Sequence, residues 1–450
     1  MNAEPPFARL AARIRRPGSE SGAALTHVAV ALVGLMAFTS FAMGYGVMWL
    51  SRRQAQNSAD AGALAGAISL SYEAPGTTGP TDPPAVGATT VALENLVWGQ
   101  SPSVDPNTDV TIGCMVGNAC QAVGLPCTPG VDTCVRVDAY RSGARGNPLP
   151  TFFAQLVGVT SQDIRATATA RVRWGNATKC LKPWAVADKW DEYEGDQDYP
   201  GHDPDFWNAG PPDTRPGFQD NMRSDVTFDP YENKSPEPDV YVPPSESGPG
   251  TSFRVRGANG TFCCDYGKQF RLKISEEENR ISSGWFMAIR LDGSAGGADY
   301  AWNIKNCNGA TYEIGQALPL STEPGNKVGP TRHAVETDPD SLVNKDPTAR
   351  WEPTALGGIG AVVSDTYGIN QSPRMVPVPV FNIDEYLATD PDGRSTVVVR
   401  NIVGFFVEGM CGSGNKEVCG RIVPVPGEFV EEGPDMTSSA AFLQVIQLIR

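Results

Sequence analysis

Histidine is nearly missing from this 450-residue chain, which has three: His27, His202 and His333. No C-x-x-C pair occurs, so zinc centres of the common kinds and thiol redox chemistry have little to build on. G-x-S-x-G, H-E-x-x-H, a Walker loop and G-x-G-x-x-G are missing too, which removes the usual nucleophile, zinc and nucleotide signatures. Beyond His27, only His202 and His333 could serve imidazole acid-base chemistry. No enzymatic activity is expected. Positive charge is scarce: 36 Lys and Arg face 51 Asp and Glu, for a net charge of -15 and a pI near 4.8. Such a surface repels polyanions, so nucleic acid is not an expected partner.

What charge there is divides unevenly. Residues 1–53 carry Arg9, Arg13, Arg15, Arg16, Arg52 and Arg53 against Glu4 and Glu20, a net of +4, whereas the rest of the chain stands at -19. Between Gly22 and Leu50 there is no Asp, Glu, Lys or Arg, and Val28–Trp49 is apolar apart from small hydroxyls and aromatics. As a helix these residues span about 33 Å, enough for a hydrocarbon core of about 30 Å. Four Arg precede the run and two follow it, which predicts a cytoplasmic N-terminus with everything beyond about residue 54 outside. A cleaved signal peptide is the rival reading, supported by small-residue spacing at Ala63–Ala67. Its apolar region would be far longer than the usual 7–15 residues.

All ten cysteines, at 114, 120, 127, 134, 180, 263, 264, 307, 411 and 419, fall beyond this span. An even count in an oxidising compartment predicts disulfides. Cys114, Cys120, Cys127 and Cys134 read as a local staple group, and Cys411 with Cys419 as another. Adjacent Cys263 and Cys264 are expected to reach distant partners such as Cys307 or Cys180.

The segment that follows the apolar run, SRRQAQNSADAGALAGAISL, has no proline and much alanine, which predicts one unbroken helix. Ala55, Ala59, Ala63 and Ala67 recur every four residues beside Gly62 and Gly66, forming a small-residue face that another helix can approach closely. That other helix belongs either to a partner or to this chain's own fold. The run Arg52-Arg53-Gln54-Ala55-Gln56-Asn57-Ser58-Ala59-Asp60-Ala61-Gly62-Ala63-Leu64-Ala65-Gly66-Ala67, with its Arg-rich leader and apolar helix, resembles the TadE/TadG-like Tad (Flp) pilus-assembly proteins. The long remainder looks more like the TadG-like branch. The resemblance implies partners among other Tad assembly or pilin proteins at the bacterial inner membrane, with oligomers formed through the N-terminal helix as one route. Pseudopilins of this family are cut after a Gly and carry Glu five residues on. Gly22 is followed at that distance by His27 and Gly18 by Ala23, which favours an anchored protein over a shed subunit.

Beyond the membrane an α+β fold is expected. After a Pro/Gly/Thr linker at 71–83, a helix capped at Asp82 should run to about Trp98. Strands at Val110–Ile112 and Cys134–Ala139, a helix at Leu149–Val157 and an alternating strand at Asp163–Trp174 would complete a small α+β module over 71–175. Residues 176–450 read as a predominantly β domain, following a leader at 1–21 and the helical module at 22–70. Its runs are Phe253–Val255, Phe270–Ile274, Trp285–Leu291, Ala361–Val363, Val376–Phe381, Thr396–Val407, Arg421–Val425 and Phe442–Ile449. The Val-Pro-Val-Pro runs at 376 and 423 should be edge strands or extended segments, because proline cannot donate to a ladder.

No cofactor is expected. One candidate metal site stands out: Asp196, Asp198, Asp203 and Asp205, within an acid-rich stretch at 188–213, could hold a structural Ca²⁺. The plain alternative is a solvated acidic loop. Asp292–Gly296 approaches the Asp-x-Ser-x-Ser metal motif of von Willebrand factor A-like domains. Its last hydroxyl is replaced by Gly296, and Gly296–Gly297 should continue as a loop rather than open a helix. The leading expectation is a non-enzymatic, membrane-anchored pilus-assembly component acting through protein contacts. An anchored adhesin with a Ca²⁺-ordered loop and a processed minor pilin are the alternatives.

Overall fold

A computed structural model describes residues 20–73, 78–122, 133–151, 155, 158–188, 190–191, 240–241, 265–274, 285–291, 296–320, 327–388, 396–412, 414, 416–431 and 442–449. The described residues fall into two compact units. One draws on Met1–Ser58, Leu93–Ser103 and Ala139–Ala166, the other on Ala59–Ala92, Val104–Asp138 and Thr167–Arg450.

The chain opens with a single helix, α1 (Glu20–Leu70), so the apolar run and the alanine-rich exit are one rod, about 77 Å long at 1.5 Å per residue. Within the apolar part, the hydroxyls of Thr39 and Ser40 donate back to the carbonyls of Leu35 (2.8 Å) and Met36 (2.6 Å), which leaves neither group seeking water. A second helix, α2 (Pro83–Glu94), begins with prolines where a helix has no use for the missing N–H. It stops at Glu94, four residues short of the Trp98 expected from the sequence. Trp98 and Gly99 take positive φ values of 53° and 72°, and the chain turns.

The principal strands are β1 (Val110–Val116), β2 (Ala119–Ala122), β3 (Thr133–Arg141), β4 (Ile164–Trp174), β5 (Trp184–Ala187), β6 (Gln269–Ile274), β7 (Trp285–Ala288), β8 (Ala317–Pro319), β9 (Met375–Phe381), β10 (Thr396–Cys411), β11 (Glu417–Ile422), β12 (Val425–Pro426) and β13 (Leu443–Ile449). The first sheet has the order β2-β1-β3-β4-β13-β12. In β4 the alternate residues Ile164, Ala166, Ala168, Ala170, Val172 and Trp174 are buried, as its period of two requires. The C-terminal strand β13 pairs antiparallel along it, Gln444 with Trp174 through Ile449 with Thr169. The chain's end thus closes a sheet that its early strands begin.

The second sheet runs β8-β10-β9-β5-β7-β6-β11 and turns back on itself, because β10 pairs with β11 as well as with β9. A near-closed sheet removes most exposed ladder edges. Its core joins Leu181, Ala185, Phe381, Val399 and Ile402 with Val425 and Leu443 of the first sheet. With the long apolar helix, these two sheets and short helices between them, the chain is a mixed α+β protein.

Two expectations are corrected. Leu149–Pro150 is a short strand against Ser161–Gln162 rather than the start of a helix; residues 152–154 and 156–157 lie outside the described residues. Strand β9, with Pro377 and Pro379, is interior rather than at an edge. Both prolines face β5, since the Pro377 carbonyl accepts from Lys182 N–H at 2.9 Å. The ladder to β10 is carried by Val376, Val378 and Val380, whose N–H groups are intact. Direct pairing with β5 begins only at Val380–Phe381, where no proline stands in the way. Phe253–Val255 lies outside the described residues.

Candidate functional site

The most distinctive feature is the rod and the place where it enters the fold. From Leu25 to Leu50 most of its large apolar side chains are exposed: Phe38 by 73%, Phe41 by 72% and Leu35 by 67%. At Ser51 the pattern reverses, and Ala55, Ala59, Ala63 and Ala67 are fully buried.

Alanine and glycine are what this contact demands. A Cβ placed on Gly62 would meet the Ala88 carbonyl oxygen and the Ala92 Cβ at 2.8 Å each; one on Gly66 would meet Val135 Cγ1 at 2.8 Å and Ala88 Cβ at 2.9 Å. At Gly62 and Gly66 the small-residue face therefore packs on α2 and β3 of the same chain. The end of the rod is pinned too. Ser71 Oγ donates to the Ile68 carbonyl at 2.7 Å and contacts Gln444 Oε1 of β13 at 3.2 Å. Tyr72 accepts from Asn370 Nδ2 at 2.9 Å and meets Tyr266 edge-on at 6.0 Å between ring centres. Tyr266 in turn lies 5.7 Å from Trp351. Burial raises the Tyr72 hydroxyl to a pKa of about 12, against the opposing effect of the Asn370 bond, so it stays neutral.

Where the rod leaves its exposed part, Arg53 lies 4.1 Å over the Trp49 ring. One step on, Gln54 Oε1 accepts the N–H of Trp98 at 2.9 Å.

A buried lysine that the sequence did not single out is the strongest candidate for chemistry. Lys182, 2% exposed, donates to the carbonyls of Asn303 (3.0 Å) and Asn306 (2.9 Å). Both lie at the C-terminal end of the helix α3 (Gly297–Lys305), where unsatisfied carbonyls and the helix dipole favour a cation. Burial, with a smaller contribution from Lys345, lowers its pKa to about 7. Nearby, Trp184 Nε1 donates to the Tyr300 hydroxyl at 3.1 Å, which is 3.0 Å from Thr331 Oγ1. Every group in this cluster is bonded within the fold, so its arrangement is that of a helix cap.

Disulfides join Cys120 to Cys134, Cys180 to Cys307 and Cys411 to Cys419, and Cys114 is disulfide-bonded as well. Cys180 and Cys307 hold each other, so neither serves Cys263 or Cys264, which with Cys127 lie outside the described residues. Asp196, Asp198, Asp203 and Asp205 also lie outside them, as does His202. Among the described residues no group of three or more His, Cys, Asp and Glu is placed to hold a metal. Gly296 caps α3, so a helix does open where a loop was expected; residues 292–295 are outside the described residues. His333 is an exposed side chain beside Thr337 and Asp338.

Among known protein families, residues 22–69 match the model described as Putative Flp pilus-assembly TadE/G-like. No curated protein and no solved structure matches the chain.

Proposed function

We propose, from the match of residues 22–69 to the model described as Putative Flp pilus-assembly TadE/G-like, that this chain is a single-pass inner-membrane component of a Tad-type pilus-assembly and secretion apparatus. Its N-terminus is cytoplasmic, and the two sheets lie on the outer side. It works without a cofactor or a catalytic centre, through contacts of its β-rich part with other Tad or pilin proteins. The long outer portion favours the TadG-like branch.

The observation that carries this reading is the change at Ser51: apolar side chains exposed up to Leu50, then a face buried down to Ala67. Exposed Leu, Val and Phe on every side of a helix are stable only where lipid replaces water. The buried half, from Ala59 to Ala67, is part of the outer fold, which suits a part that is anchored in the envelope. The four leader arginines, the acidic remainder and the disulfides support the orientation.

The test is affinity purification of the full-length chain from its own host after mild crosslinking. Recovery of Tad assembly proteins or pilins with the full-length chain, and not with residues 1–70 alone, supports the reading. Recovery of none of them overturns it.

A further inference from the structure

The turn after α2 lies close to the point at which the rod leaves the membrane. We propose that this turn, Leu96–Gln100, is a second membrane contact, seated in the lipid headgroup layer of the leaflet from which α1 emerges. The proposal rests on reading α1 as the anchor and adds a lipid-facing surface to it.

Depth comes first. Gln54, whose side chain holds the Trp98 N–H at 2.9 Å, is four residues past Leu50, or about 6 Å along the helix axis. The headgroup layer is about 5–7 Å thick on each side of the hydrocarbon. The turn's backbone is thus tied to the rod at headgroup depth.

Its chemistry fits that layer. Leu96 is 52% exposed although its neighbour Val97 is fully buried, and Trp98 stands next in line. Tryptophan, with an apolar body and a polar N–H, is the residue most at home at this depth. On the rod, Arg52 and Arg53 just before Gln54 are exposed, and Arg53 stacks on Trp49. A phosphate layer supplies their counter-charge.

The turn is also held in place at a cost. Trp98 has φ 53°, a left-handed conformation unfavourable for a bulky residue. Two backbone bonds between Val97 and Gln100 (2.8 and 3.3 Å) close it. Buried Arg141 fixes both ends by donating to the Val97 carbonyl and, at 2.9 Å, to Gln100 Oε1. A strained, pinned tip that exposes Leu96 beside a half-buried Trp98 is a surface with an intended contact.

The test places the photo-crosslinker p-benzoyl-phenylalanine at Trp49, Leu96 or Asn57, one position at a time, in the full-length chain in nanodiscs of phosphatidylcholine and phosphatidylglycerol. Asn57, seven residues past Leu50 and so about 10 Å out, lies beyond the headgroups. Lipid adducts at 49 and 96, detected by mass spectrometry and lost at 57, are expected. Adducts at 49 without adducts at 96 overturn the seating of the turn and leave the anchor intact. No adduct at 49 overturns the anchor itself and this inference with it.

Discussion

Lys182 donates from its ammonium to the carbonyl oxygen of Asn306 at 2.9 Å, and the disulfide Cys180–Cys307 ties the same two stretches of chain. A covalent link and a buried cation thus fasten the strand leading into β5 to the end of α3. The cation is costly where it sits: its pKa falls from an ordinary 10.5 to about 7, chiefly because burial strips its hydration.

That shift fixes a pH dependence. Between about pH 7 and 10.5 the unfolded chain holds a proton on Lys182 that the folded chain has released. Folded stability therefore rises with pH across this window, by up to about 1.4 kcal/mol per unit from this group alone. The unfolding free energy of the native protein minus that of Lys182→Met is expected to grow from pH 7 to pH 10. Parallel curves for the two proteins would refute the assignment.

The two disulfides of the second sheet should differ in weight. Cys180 and Cys307 are 127 residues apart, Cys411 and Cys419 only 8. On the chain-entropy relation, the first constrains the unfolded state by about 5 kcal/mol and the second by about 2.5 kcal/mol. Denaturant unfolding of Cys180→Ala/Cys307→Ala should show the larger loss; the reverse order would count against the entropic account.

Overpacking the socket should be felt in the fold. Leucine at Gly62 would drive its Cβ into the Ala88 carbonyl and Ala92, at a cost of about 1–3 kcal/mol. Gly34 has no atom within 4 Å of such a Cβ, so Gly34→Leu is expected to leave unfolding of the outer domains unchanged. Thermal unfolding of the two variants in nanodiscs separates them. Equal melting temperatures would mean that the socket is not formed.

How much of this was readable beforehand depends on whether a feature is local. The apolar run, the alanine-rich continuation and the alternation of β4 are written along the chain, and all three took their expected form. The small-residue stripe gave a face but no occupant: periodicity says which residues line up, and only the fold puts Ala88, Ala92 and Val135 against Gly62 and Gly66. Pro377 and Pro379 misled because a strand's N–H groups alternate sides, and which side faces a full ladder is a property of the neighbours. Lys182 gave no signal, since nothing in Cys-Leu-Lys-Pro-Trp announces that a helix some 120 residues on will end over its ammonium. Sequence does not choose among distant partners for Cys263 and Cys264, and only the fold shows that Cys180 and Cys307 hold each other.

Alkaline carbonate extraction of membranes from cells making the full-length chain, followed by external protease treatment of spheroplasts, tests the central claim most directly. The chain is expected to remain in the membrane pellet, and protease is expected to remove the outer domains while sparing an N-terminal fragment that ends near the rod. Recovery of the intact chain in the carbonate supernatant, or full protection of the disulfide-bearing domains in spheroplasts, would contradict it.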